Sequence, residues 1–516
     1  MSSAEREDSR KPSSKSYLQD FSGYSTLHGS YFVLGSGGII RRVVWMVLVL
    51  AGVGICTSQL VVSFRRLRAY EHIVSKDIIP ESKLTFPAVT ICNINMMKRS
   101  RINGTEAQVF IDKLNPLKTS KELSKKQLKD SFDISKAVKE HGYKVKDLVR
   151  VCVWDGQDGN SCSPIHDFTT RFSYLYGQCH TFNSGQDGHP LLSSTSSERA
   201  NGLLLLIEVK KDEYYGLTSY FNSGIRVVVH DQNEQPNIER DGIDIKTRSM
   251  TTIKIQRHEY NSLKYPYQSK CGSKKLETSK VYTRSTCILE CSTRKIIKKC
   301  GCKLMGMANL TEFSQIKYCN PEEMISCQVY MPKTDVESKL LNVLSTLTFG
   351  YRLPNNPQEC GCPRPCKEIK YSTRVNDADF LTSDVFLEDA VDSTQNEKMN
   401  RNYMKKYFDK IRQNLLHLSV YYEDLNTYVT NERPSYDINL FGADVGGYLG
   451  LFLGCSILTV FEFIDLAFVC CLGRPRQDKK KQENQTAKEN GTSANNNQGA
   501  YDEEIRTGLF ETHNAD

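Results

Sequence analysis

Residues 440–472 read LFGADVGGYLGLFLGCSILTVFEFIDLAFVCCL. A bilayer core takes about 20 residues of helix, so this apolar stretch is long enough to cross one. It carries Asp444, Glu462 and Asp465. Carboxylates in a membrane segment are costly and face either a watery path or a protein interior. Gly446, Gly450 and Gly454 recur every fourth residue and stack on one helix face. That spacing by itself favours helix–helix packing. The three acids turn the balance towards a pore, in which Gly454-Cys455-Ser456 offers backbone carbonyls and a hydroxyl where several copies converge.

Upstream, Val43 to Phe64 (VVWMVLVLAGVGICTSQLVVSF) holds 22 residues without a charge and reads as a second crossing. It lies too far from Met1, and is too long, for a cleavable signal peptide. Two crossings put both termini on one side. Arg474, Arg476 and Lys479 to Lys481 follow the later span and make that side cytosolic. Fourteen of the eighteen cysteines lie between the spans. An even number confined to one loop reads as a disulfide framework in an oxidising compartment. Sequons at Asn103 and Asn309 fall in the same loop and are expected to carry glycans. Those at Asn484 and Asn490 fall in the tail and are expected to stay bare.

The expected organisation is therefore a cytosolic N-terminus (1–42), a first membrane helix (43–64), an extracellular disulfide-rich domain (65–439), a second membrane helix (440–472) and a disordered cytosolic tail (473–516). Within the large loop, 108–150 is Lys-rich and reads as helical. The runs 202–209, 224–230 and 251–256 read as strands, as does 417–425, while 396–413 reads as helix. A net charge of +8, from 68 basic and 60 acidic residues, is too weak over this length to imply nucleic acid. Paired Cys-x-Cys at 300/302 and 360/362 could suggest zinc, but their compartment favours disulfides. No phosphate loop, HExxH or GxSxG motif points to an enzyme, and no metal or cofactor is expected.

Five signatures together resemble the degenerin/epithelial sodium channel family, closest to acid-sensing ion channels and invertebrate peptide-gated sodium channels. They are STLHG (25–29), LTFPAVTICN (84–93), GQCHTFNSG (177–185), the cysteine cluster, and GGYLGLFLGCSILTVFEFID (446–465). The resemblance covers about 21–472. It implies a homotrimer, or a heterotrimer with related subunits, in the plasma membrane. Each subunit has two membrane helices and an α+β ectodomain of β palm and β-ball with helical finger, thumb and knuckle. The implied activity is amiloride-sensitive conduction of Na⁺ opened by an extracellular signal, with protons ahead of a neuropeptide.

The resemblance also assigns residues. Gly454, Cys455 and Ser456 form the selectivity filter at a break in the second helix. His28 and Gly29 form a re-entrant loop, and Ala443, Asp444, Gly447, Leu451, Glu462 and Asp465 line the pore with them. His72, Glu213, Glu234, Leu425 and Asn426 take part in gating. The implied disulfides are Cys92–Cys179, Cys152–Cys162, Cys271–Cys366, Cys287–Cys362, Cys291–Cys360, Cys300–Cys327 and Cys302–Cys319. Asn233, Ser419, Leu175 and Ser196 stand where the proton-sensing acidic pocket of these relatives has charged residues, which keeps a peptide agonist open. The rival readings are an ATP-gated-type trimer, which shares the two-span plan, and a two-pass receptor or adhesion protein without a pore.

Overall fold

A computed structural model describes residues 21–34, 38–115, 128–129, 131–154, 162–186, 188, 190–216, 222–327, 357–381 and 401–472. The chain divides into two compact units, Met1–Arg65 with Ile438–Asp516, and Arg66–Asp437. The expected tail at 473–516, with Asn484 and Asn490, lies outside the described residues.

In the first unit, a helix continues from Ile39 to Ala69, beyond both ends of the uncharged stretch. Val43, Val47, Leu48 and Leu50 lie exposed along it, a pattern that suits lipid and not water. Among the described residues it is the one uninterrupted helix long and apolar enough to cross a membrane. The later apolar stretch forms two helices, Ile438–Leu453 and Ile457–Leu472. Their axes bend by 72°, and the stretch reaches spanning length only if both halves count as one crossing.

The second unit is built on two main sheets. The six-stranded sheet runs β12 (Lys367–Asp379), β11 (Ser249–Asn261), β13 (Leu415–Pro434), β8 (Leu203–Glu208) and β4 (Val149–Trp154), with β1 (His72–Pro80) also pairing with β13. Only β11 and β13 run parallel. The five-stranded sheet runs β10 (Ile243–Lys246), β9 (Gly224–His230), β3 (Ala88–Asn93), β6 (Gly177–Phe182) and β5 (Phe168–Ser173). A short pair, β2 (Leu84–Thr85) and β7 (Ser193–Ser194), stands apart. Every residue of β3 and β6 is buried, as central strands covered on both faces require. One core unites Val89, Ile91 and Phe182 of one sheet with Leu205, Ile253 and Leu418 of the other.

Beside the sheets, Thr283 caps a helix running from Arg284 to Cys300 by accepting from Thr286 N–H. Gly301, in the left-handed region, ends it. Cys287 and Cys291 are four residues apart on this helix and bond Cys362 and Cys360. The other bridges are Cys92–Cys179, Cys152–Cys162, Cys271–Cys366, Cys300–Cys327 and Cys302–Cys319. All seven are the pairs the resemblance implies. Cys302, Cys319 and Glu323 converge, but the two sulfurs are consumed in one bridge and leave no thiolate for a metal.

Two expectations need correction. The Lys-rich stretch is not one helix over 108–150: Glu106–Leu114 ends before Asn115-Pro116, where proline disfavours helix at the preceding residue. Short helices follow at Ile134–His141 and Val145–Leu148, and β4 begins at Val149. The strand expected over 417–425 is twenty residues long, because β11 and β1 supply partners for its second half.

Candidate functional site

The interruption of the second apolar stretch follows from its residues. Gly454 has φ +61°, which glycine adopts without steric cost. Its N–H still reaches Gly450 O at 3.0 Å, and Cys455 N–H reaches back to Leu449 O at 3.2 Å. The next helix is started by Thr459, whose hydroxyl accepts from Ser456 N–H at 2.9 Å. A break of this kind releases main-chain carbonyls from the helical ladder. At membrane depth such backbone is tolerated only in a protein interior or beside water.

The STLHG loop packs against this break. His28 N–H donates to the freed Leu453 O at 3.1 Å. A Cβ on Gly454 would overlap His28 Nδ1. Thr26 hydrogen-bonds the Thr459 hydroxyl, and its N–H donates to Glu462 Oε2 at 3.0 Å. Gly29, with φ +90°, rests against Val49 and Trp45 of the long helix. Asp444 Oδ2 accepts from the buried Ser63 hydroxyl at 2.9 Å. Two of the three membrane acids are thus held by hydroxyls or backbone of the same unit, while Asp465 is exposed.

Of the glycine stripe, Gly454 packs against the STLHG loop, while Gly446 and Gly450 pack against nothing among the described residues. Gly446, Gly447 and Gly450 have no atom within 4 Å of where a Cβ would stand. The close approach is made by Gly52 of the first helix, where an added Cβ would stand 2.8 Å from Phe452 O. Ala443, Gly447 and Leu451, spaced by four, are exposed along the same stretch. Thr26 and Thr459 lie inside quoted signatures without having been given a role, and Gly52 and Ser63 lie outside every signature; each acts through a partner distant in sequence.

The sequence profile described as amiloride-sensitive sodium channel matches residues 21–466. The chain belongs to the amiloride-sensitive sodium channel family. This is a family of ion channels and not of enzymes, and membership sets aside the ATP-gated and adhesion readings. Acid-sensing ion channel 2 of Homo sapiens is 28% identical over 493 residues, covering 90% of this chain and 87% of that protein. Acid-sensing ion channel 1 of Gallus gallus is 26% identical over 517 residues, covering 92% and 89%. A cryo-EM structure of a proton-activated chloride channel aligns with a TM-score of 0.30 at 7% identity, over 83% of this chain and 96% of that one, too distant a likeness to carry any argument.

In this family member the expected gating residues fall into separate places. His72 opens β1 opposite Pro434 of β13. Its charge reaches Glu432, two residues earlier on β13. Burial raises the Glu432 pKa, but hydroxyls of Ser269 and Ser262, the Leu263 N–H and His72 outweigh it and hold the carboxyl low. Leu425 and Asn426 sit where β13 bulges: Tyr422 faces Ile255, yet Thr427 already faces Arg257. Glu213 accepts from the N–H and hydroxyl of Ser100, both at 2.8 Å. Burial pushes the Glu234 carboxyl up, against a bond from Ser285, and Glu368 adds repulsion. Leu175 and Ser419 are buried inside the unit, and Asn233 is exposed and bonded to Asp231.

Proposed function

We propose that the chain is a subunit of a sodium-selective, amiloride-sensitive cation channel of the plasma membrane, opened by extracellular acid. The interrupted apolar helix carries this reading. A break in the helical ladder at Gly454, Cys455 and Ser456 suits an ion that exchanges water for protein oxygens there. The uncovered face of Ala443, Gly446, Gly447, Gly450 and Leu451 suits further copies around an axis, in a homotrimer or a heterotrimer. In that assembly both halves of the bent helix make the second crossing. His28, Gly29, Asp444, Glu462 and Asp465 line the path, both termini are cytosolic, and 65–439 is extracellular. Protons are favoured because the relatives named above are acid-sensing channels by name and because burial raises the Glu234 carboxyl above its ordinary value.

A neuropeptide agonist is the second reading, supported by the uncharged Asn233, Ser419, Leu175 and Ser196. The test is to express the chain alone and record whole-cell current with and without amiloride. An acid step from about pH 7.5 to about 4 and a panel of amidated peptides are then applied. Amiloride-insensitive or absent current under every stimulus removes the proposal; current evoked by peptide alone selects the second reading.

His72 opens β1, and its charge helps to hold the Glu432 carboxyl low. His72→Asn is expected to move the pH–current curve to lower pH. An unchanged pH–current curve would sink this role. Topology has its own check. Glycosidase shifts are expected from Asn103→Gln and Asn309→Gln and from neither tail sequon, because only the large loop meets the lumen during synthesis. A glycan on Asn484 would reverse the orientation.

A further inference from the structure

A cavity of about 100 Å³ lies in the Arg66–Asp437 unit, beside Glu234, whose partner Ser285 is on its wall. It is bounded by the end of β5, the segment Gln235–Arg240, and the Arg284–Cys300 helix with Met305–Met307. Ile238, Ile288, Leu289 and Met305 give it an apolar body. A cavity of this order accepts a single aromatic ring.

Arg171 makes the cavity unusual. Its Nη1 donates to Gln235 Oε1 at 2.6 Å. Its Nε and Nη2 are closed off from solvent and donate to no atom among the described residues. The carboxyl groups nearby are occupied elsewhere. Glu239 accepts from the Ser173 hydroxyl at 2.7 Å, while Asp241 is paired with Arg240 at 2.7 Å. A buried guanidinium without a counter-charge is costly, and removing the cost requires an anion. Burial, with no opposing carboxylate, lowers the pKa of Arg171, and its positive charge extends to His230.

We propose that this cavity binds a small aromatic monocarboxylate, its ring among Ile288, Leu289 and Met305 and its carboxylate neutralising Arg171. Ser285, Ser292 and Thr293 border the same space, the Thr293 hydroxyl donating to Leu289 O at 2.7 Å and Ser285 bonding Glu234. A bound ligand would tie three otherwise separate elements together. The site stands independently of ion permeation, so binding is the readout.

The experiment titrates sodium benzoate and its neutral isostere benzamide into the full-length, detergent-solubilised protein by calorimetry at constant ionic strength. Saturable benzoate binding is expected, weakened at least about tenfold in benzamide and in Arg171→Met, and retained in Arg171→Lys, as loss of a charged hydrogen bond predicts. Equal binding of benzamide, wild-type affinity in Arg171→Met, or no saturable binding in the millimolar range overturns the proposal. Should Arg171→Met fail to fold, a cryo-EM map of the wild type in 4-bromobenzoate decides: bromophenyl density in the cavity supports the site, and an empty cavity overturns it.

Discussion

Gly454→Ala is expected to cut macroscopic sodium current by at least about tenfold with surface expression intact, since each 1.4 kcal/mol of misfit at the conducting state is a factor of ten. Two costs act at once. An L-residue held at φ +61° loses about 1–2 kcal/mol. The added methyl would also occupy the space of the His28 ring, so the STLHG loop must retreat from the break. That retreat takes with it the His28 N–H that satisfies Leu453 O, and it disturbs Thr26 on Thr459 and Glu462. In a threefold assembly each cost is incurred three times around one axis. Surface biotinylation separates loss of conduction from loss of trafficking. A companion change, Ser456→Leu, is expected to move the reversal potential towards that of a non-selective pore. Wild-type current and reversal potential in both variants would remove the filter from this position.

Acid is expected to destabilise the Arg66–Asp437 unit by roughly 3 kcal/mol between about pH 6.5 and about pH 4, counting 1.36 kcal/mol per pKa unit. The source is His230, whose pKa burial pushes down to about 4. Its Nδ1–H donates to Asp231 O at 2.8 Å, which leaves Nε2 to accept from the Thr90 hydroxyl at 2.9 Å. Thr90 in turn meets Thr181 at 2.8 Å, so the chain of hydroxyls is arranged around a neutral ring. In the unfolded chain the same imidazole takes a proton near pH 6.5. Between the two values the unfolded state binds more protons, so stability falls as pH falls, and the loss is complete below the folded value. His180 acts in the same direction: burial lowers its pKa, and its Nε2–H donates to Tyr143 O at 2.9 Å. Urea midpoints of the solubilised protein at several pH values measure the effect. His230→Gln should flatten the profile. A midpoint independent of pH across this window would show that neither histidine carries it, and the same slope in the variant would remove His230 as the source.

The first apolar span, the use of the loop cysteines in disulfides and the family were legible in the sequence because each depends on local composition or on spacing along the chain. The uncharged run at 43–64 needs no partner to declare itself, and neither does the paired Cys-x-Cys pattern. Strands such as β8 and β9 were legible for the same reason, since a continuous or alternating apolar run records how many faces are covered. By contrast β1 and β12 carry mostly exposed side chains and became strands only because β13 and β11 offered unpaired edges. Tertiary structure alone decided that the Gly446–Gly450 face is open while Gly52 makes the close contact. It alone brought Thr26 to Glu462 and His28 to Gly454, and left Arg171 buried without a counter-ion. Composition and periodicity report what one segment would bury. Which distant residue meets a freed carbonyl or a lone charge depends on where the chain returns, and that is set by the packing of the whole fold.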